Sequence, residues 1–185
     1  IAAFEATGNP LPVQNARRPV PDDKIVDRAM ELIVAAKKPV ILAGNGAIRR
    51  RAAKQLRRFV ENTGIGVINT FMGKGSIPRS SDNCLFTIGL QAQDYTRVAI
   101  QEADMNHGLG QSSIKGNKTQ KIIHIDFIPA EVDEYYGVDV EIVGDLAHTL
   151  WMMNERVDDF RAEYDCGCKP ALRQAMLEDF AEYKD

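Results

Sequence analysis

The run Lys38-Pro39-Val40-Ile41-Leu42-Ala43-Gly44-Asn45-Gly46 limits the fold more than any other stretch. Val40 to Ala43 is apolar, partly β-branched and too short for a helix. It reads as a strand buried on both faces. Pro39 stands at its start, where a missing N–H costs least. Gly44 and Gly46 allow a sharp turn at the strand's carboxyl end, and a basic, alanine-rich helical pattern follows. Strand, glycine turn and helix together open a parallel α/β sheet, and the carboxyl edge of such a sheet is where ligands bind. The full G-x-G-x-x-G phosphate fingerprint is absent, because Arg49 stands where its third glycine would be. A bare G-x-G fits a cofactor loop or only a tight βα turn.

The 185 residues are 44 % hydrophobic with a net charge of −3, which suits one domain with a substantial core. Arg49-Arg50-Arg51 and Arg57-Arg58 lie on one helix and are balanced by acids elsewhere. They read as a solvated helix face, and no nucleic-acid partner is expected. No apolar run approaches the roughly 20 residues of a membrane span, and the first residues lack the basic start and apolar middle of a signal peptide. Cys84, Cys166 and Cys168 form an odd, sparse set that fits a reducing cytoplasm. His107, His124 and His148 are scattered without zinc-motif spacing, so no metal site is expected.

Ile1 to Pro21 contains Pro10, Pro12, Pro19 and Pro21 with little periodicity and reads as an extended arm. Asp22 and Asp23 mark a helix start, with Ile25, Val26, Ala29, Leu32 and Ile33 as its apolar face. Lys37 and Lys38 favour its end, and Pro39 stops it. A second helix is predicted from Ala47 to Asn62, buried through Ala52, Ala53, Leu56, Phe59 and Val60 and ended by Gly64. Ile65 to Thr70 is the next strand. It leads into Phe71-Met72-Gly73-Lys74-Gly75-Ser76-Ile77-Pro78, a second glycine-containing loop on the same sheet edge. Two loops on that edge make a crevice, which says more than either loop alone.

Leu85 to Gly89 is a short apolar piece, and Asp94 to Glu102 a helix. Another central strand should follow Ala103-Asp104, but Met105 to Gly116 is polar and glycine-broken, so the sheet is expected to lose an interior strand there. Such an interruption is what a sequence lacking part of its natural polypeptide would show. The pattern returns at Lys121 to Asp126, a strand ending in an acid. Pro129 to Val132 reads as a helical turn and Val138 to Val143 as a further strand. Asp145 caps a helix from Leu146 to about Val157. Asp158 to Lys169 reads as a linker, and Leu172 to Tyr183 as a last amphipathic helix.

Six pieces now stand in order: Lys38 to Gly46, Met72-Gly73-Lys74-Gly75 with Ile77-Pro78, Ile88-Gly89, Glu102-Ala103-Asp104, Ile123-His124-Ile125-Asp126 with Pro129-Ala130-Glu131, and Val143-Gly144-Asp145. Their order and spacing resemble the central domain of thiamine-diphosphate-dependent enzymes, most of all acetolactate synthase (acetohydroxyacid synthase). The resemblance covers roughly residues 24–157. It implies a Rossmann-like fold of the sirtuin/DHS-like kind, a parallel six-stranded sheet with helices on both faces. It also implies an N-terminal arm over 1–22, the central domain over 23–157, and a linker and helix over 158–185 leading to a further domain. Flanking domains would hold thiamine diphosphate and Mg2+. The Gly-Asp-Gly motif of that metal site is not met by Gly144-Asp145-Leu146, so this stretch of chain is expected to be noncatalytic within a homo-oligomeric parent that decarboxylates pyruvate and joins it to a 2-oxo acid.

Central domains of acetolactate synthases bind FAD, while some relatives take an adenine nucleotide or nothing. Carried over by position, the cofactor-binding candidates are Gly44, Asn45, Gly46, Met72, Gly73, Lys74, Asp126 and Asp145. The glycines would let a diphosphate approach, and Asp126 would accept from a ribose hydroxyl. Equally, the glycines serve turns, Asp126 ends a strand and Asp145 caps a helix. Two departures bear on FAD. Gly89-Leu90-Gln91-Ala92 stands where FAD-binding members usually carry His-Gly, and Met105 to Gly116 does not match their arginine-containing loop. Other readings are the central domain of another thiamine-diphosphate-dependent 2-oxo acid decarboxylase or lyase, a stand-alone dinucleotide-binding protein such as an NAD-dependent deacylase of the sirtuin-like fold, for which His124 and the cysteine count are poorly suited, and a structural paralogue without ligand. Fold alone does not separate them.

Overall fold

The computed structural model describes residues 18–88, 95–103, 105–107, 120–130, 137–158, 173–178 and 181. Asp22 caps α1 (Asp23–Ala35), its carboxylate accepting from the Lys24 and Ile25 amides at 2.8 and 3.4 Å. The buried stripe is Val26, Ala29, Met30 and Ile33. Ile25 falls outside it and is exposed, because the helix turns it away from the sheet. All of β1 (Pro39–Ala43) is buried.

The helix expected from Ala47 is two elements. Asn45–Ile48 forms a single 3-10 turn, Arg49 is extended, and α2 runs over Arg50–Thr63. Ala52, Ala53, Leu56, Phe59 and Val60 are its buried residues, as their spacing predicts. Gly64 closes it in the left-handed region (φ 73°), its N–H donating to the Val60 carbonyl at 2.8 Å. β2 (Gly66–Asn69) and β3 (Cys84–Thr87) follow. Their register shifts between Val67 and Asn69. Phe86 adopts φ 61° beside that irregularity, a conformation costing an aromatic residue roughly 1–2 kcal/mol. Its carbonyl accepts from Asn69 Nδ2 at 3.3 Å, and its ring lies under the guanidinium groups of Arg79 and Arg173, each 5.3 Å from the centroid.

Beyond α3 (Tyr95–Glu102), Met105–His107 forms β4. An interior strand was not expected at this polar stretch. Strand pairing uses main-chain groups, so three residues between two parallel neighbours suffice whatever their polarity. β4 pairs with Pro39–Ile41 on one side and with Lys121 and Ile122 of β5 (Lys121–Asp126) on the other. Gln120 Nε2 donates to the carbonyls of Ile100 and Ala103, at 2.6 and 2.7 Å, and ties the end of α3 to the start of β5. β6 (Val140–Val143) and α4 (Leu146–Arg156) complete the order. Pro129 and Ala130 are not helical, and the rest of that expected turn lies outside the described residues.

Every neighbouring pair is parallel, in the order β3-β2-β1-β4-β5-β6. The pairings are longest in two groups, β3-β2-β1 and β5-β6, with short β4 between them. Alternate strand residues serve opposite faces. Ile41, Ala43, Val67, Ile123, Ile125, Val140 and Ile142 pack with α1, α2 and α4. Val40, Leu42, Ile68 and Leu85 pack with Ala99, Ile100 and Ala103 on the other side. That two-sided burial is why β1 reads as an unbroken apolar run. His124 alternates with Ile123 and Ile125 and is buried. Its Nδ1 has no hydrogen-bond partner among the described residues.

Residues 173–178 are helical and pack back on the domain. Arg173 donates to the carbonyls of Cys84 and Arg79 at 2.8 and 3.1 Å, and Met176 is buried. Cys84 is a free, buried thiol, while Cys166 and Cys168 lie outside the described residues. No helix among the described residues is long and apolar enough to cross a membrane.

Candidate functional site

A cavity of about 650 Å3 opens at the carboxyl edge of the sheet, a size typical of small-molecule sites. Three strand ends build it: the Gly44-Asn45-Gly46 turn after β1, Ile125-Asp126-Phe127 at the end of β5, and Gly144 to Ala147 after β6. The start of α2 and the side chain of Arg18 complete the wall. In a doubly wound sheet, this edge is the expected place for a ligand.

The cavity wall is cationic where it meets α2. The side chain of its N-cap residue, Arg49, makes no capping hydrogen bond among the described residues, and a helix start presents N–H groups and the positive end of its dipole. Arg49, Arg50 and Arg51 stand at the same place. The Arg49 guanidinium lies over the Phe127 ring, 5.7 Å from its centroid, which holds it across the cavity. Cations at a helix N-terminus repel the dipole, so three exposed arginines in succession give this end of the cavity a concentrated positive charge.

The two carboxylates of the wall are already partly engaged. Asp145 Oδ1 pairs with Arg18 Nη1 at 3.1 Å, and Oδ2 accepts from the His148 amide at 3.1 Å to cap α4. Asp126 Oδ1 accepts from the Phe127 amide at 2.5 Å, and its main-chain carbonyl accepts from the Gly144 amide at 2.8 Å. Asp126 Oδ2 has no partner among the described residues and remains able to accept from a ligand hydroxyl. Phosphate donors and one open carboxylate oxygen are what a nucleotide needs. Among the described residues, no group of three His, Cys, Asp or Glu side chains gathers to hold a metal ion.

Of the positions read from the sequence, Gly44, Asn45, Gly46, Asp126 and Asp145 meet on this cavity. Met72, Gly73 and Lys74 are not among its lining residues. They belong to the loop after β2, where Phe71–Gly73 forms a 3-10 turn. The Thr70 amide donates to Ala43 O at 2.9 Å, and Thr70 caps the turn by accepting from the Gly73 amide at 3.1 Å. Ser76 Oγ donates to buried Asn69 Oδ1 at 2.6 Å and fixes the far side of the loop. Gly73 is packed against the end of β1, while Met72 is 61 % exposed. Residues 89–94 and 108–119, where the departures from FAD-binding members fall, lie outside the described residues.

Arg18, Arg49, Arg50, Arg51 and Phe127 also line the cavity and are not among the positions read from the sequence. A signal for the α2 arginines was present: a basic triplet directly after a glycine turn, where a helix start ordinarily carries acids. Arg18 left no such signal, because its partner is Asp145, far along the chain.

Comparison with known proteins agrees with this architecture. Residues 26–153, from α1 into α4, match the family model described as thiamine pyrophosphate enzyme, central domain. Glyoxylate carboligase of Escherichia coli is 31 % identical over 169 residues, covering 86 % of this chain and 28 % of that protein. An acetolactate synthase of Mycobacterium bovis is 37 % identical over 134 residues, 68 % of this chain and 22 % of its own. The chloroplastic acetolactate synthase of Arabidopsis thaliana is 32 % identical over 162 residues, 83 % and 24 % respectively. The chain thus spans about a quarter of the length of these relatives. With its α/β order, its parallel pairing and this match over most of its length, the chain belongs to the family of thiamine pyrophosphate enzyme central domains.

Proposed function

We propose that this chain is the noncatalytic, nucleotide-binding central domain of an acetolactate-synthase-like enzyme that decarboxylates pyruvate and condenses it with a 2-oxo acid. The observation that carries the reading is the cavity at the ends of β1, β5 and β6, where an uncapped helix start and arginines surround a glycine turn. These donors fit the diphosphate of FAD or ADP, and Asp126 Oδ2 fits a ribose hydroxyl. Gly44, Asn45, Gly46, Arg49, Arg50 and Asp126 would hold the nucleotide, and FAD would serve as a structural group. Met72 and Lys74 would then contribute only at the margin.

Thiamine diphosphate, held with Mg2+ by flanking domains, supplies the decarboxylation and carboligation chemistry. Residues 1–22 and 158–185 would connect to those domains. The two strand groups and β4 would act as one continuous six-stranded, doubly wound sheet. A homo-oligomeric parent and a cytoplasmic setting fit this reading, the latter with Cys84 as a free thiol. The glyoxylate carboligase relative favours a second form of it, in which the parent joins a different 2-oxo acid.

Calorimetric titration with FAD and ADP tests the proposal. Saturable binding, weakened about tenfold by Arg50→Ala and abolished by Gly46→Val, is expected. No heat from either nucleotide at millimolar concentration, on folded protein, refutes it. Thiamine-diphosphate-dependent consumption of pyruvate by the full parent tests the catalytic half.

A further inference from the structure

Residues 18–22 read in the sequence as the end of a proline-rich arm, yet they are fastened to the wall of the cavity. Arg18 lines the cavity and pairs with Asp145 Oδ1 at 3.1 Å. The Asp145 amide donates to Pro19 O at 2.9 Å. Pro21 is buried against Gly144, where a Cβ would come within 3.1 Å of two Pro21 ring atoms. Asp22 then caps α1. Asp145 therefore holds the strap through its main chain and one carboxylate oxygen, while its other oxygen caps α4.

We propose that this strap is a ligand-responsive clasp: a phosphate-bearing ligand in the cavity takes Arg18 as a donor, so occupancy locks residues 18–22 onto the β6–α4 turn. Arg18 offers five N–H donors, its one described hydrogen bond uses Nη1, and its side chain is 55 % exposed. It can serve Asp145 and a phosphate together, so ligand and carboxylate need not compete. The ligand meets Arg18 only when the strap is docked, which supplies the differential affinity that any shift of an equilibrium requires. The coupling is reciprocal: a docked strap strengthens binding by the factor by which ligand strengthens docking. The polypeptide before residue 18 would thus be held or released according to the state of the cavity. This inference rests on the phosphate-binding reading above.

Trypsin cleavage of the 185-residue chain between Arg17 and Arg18 reports the strap, and calorimetry on the same samples reports binding. ADP is the probe, with inorganic diphosphate as the minimal form of the same chemistry. Saturating ADP should slow cleavage about tenfold, within the usual range of site-to-site coupling. Arg18→Ala should weaken ADP binding by a similar factor and remove the protection. Arg50→Ala should weaken binding yet leave protection intact once ADP saturates. ADP binding with an unchanged cleavage rate overturns the clasp and leaves the nucleotide site standing. Absence of binding by either probe overturns both.

Discussion

Gly73→Ala separates a glycine that the fold needs from one that the site needs. A Cβ at Gly73 would stand 1.9 Å from Ala43 O, 2.7 Å from Ala43 C and 3.1 Å from Gly44 O. All three are main-chain atoms of β1 and its turn, so no rotamer change relieves the clash. A comfortable contact needs about 3.5 Å, so the turn must retreat by more than an ångström. That retreat breaks the 2.9 Å hydrogen bond from Thr70 N to Ala43 O and strains the Thr70 cap on the Gly73 amide. Losing a hydrogen bond costs about 1 kcal/mol, and leaving a buried partner unsatisfied costs roughly 1–3 kcal/mol. We expect Gly73→Ala to destabilise the domain by about 2–4 kcal/mol. Urea denaturation followed by circular dichroism measures this as a lowered midpoint with an unchanged slope. Gly46→Ala is the comparison, since its Cβ would meet only Leu146 Cδ2 at 3.5 Å, an ordinary contact; it should cost under about 1 kcal/mol. A Gly73→Ala protein within about 0.5 kcal/mol of the parent would refute the reasoning.

Other outcomes follow from the same geometry. Burial opposes ionisation of Asp139, but the ammonium of Lys121 at 2.7 Å and the Ile122 amide at 2.9 Å hold its carboxyl below the ordinary range. A lowered folded-state pKa gives stability that is present above the unfolded pKa of about 3.9 and is lost as pH falls through the folded value. Below about pH 4, thermal melts should therefore show the parent losing more stability than Asp139→Asn. Arg156 joins α4 to α1 through Asp27 at 2.5 Å and Asp23 at 2.6 Å, but both acids are substantially exposed. Arg156→Met should cost only about 1 kcal/mol in denaturant titration, less at high salt.

The elements easiest to read in the sequence were those whose evidence is local. The buried face of α2, the Asp22 and Asp145 caps and the Gly64 terminus each follow from a few neighbouring residues. Local pattern failed where main chain or distant contacts decide. Nothing in the polarity of Met105-Asn106-His107 announces β4, because its place comes from hydrogen bonding to β1 and β5. Arg49 breaks the expected helix because Asn45–Ile48 closes a turn of its own first. In the candidate site, glycines and acids at three strand ends were visible by position. Met72, Gly73 and Lys74 join them through the family resemblance and leave the same sheet edge, and only packing reveals that Gly73 braces β1. The strap stayed hidden because prolines give no periodicity, and its partners lie more than a hundred residues away.

Arg173 has a consequence for how the molecule behaves in a crowd. Among the described residues β3 is the outermost strand on its side, and an open outer strand is a template on which another chain can add itself. The guanidinium group occupies the Cys84 carbonyl and lies on Phe86, so part of that template is taken by the chain itself. Removing residues 173–185, or substituting Arg173→Ala, should expose it, and light scattering during storage should rise before any loss of helical signal. Arg173 thereby covers part of the hydrogen-bonding edge that a neighbouring chain would need.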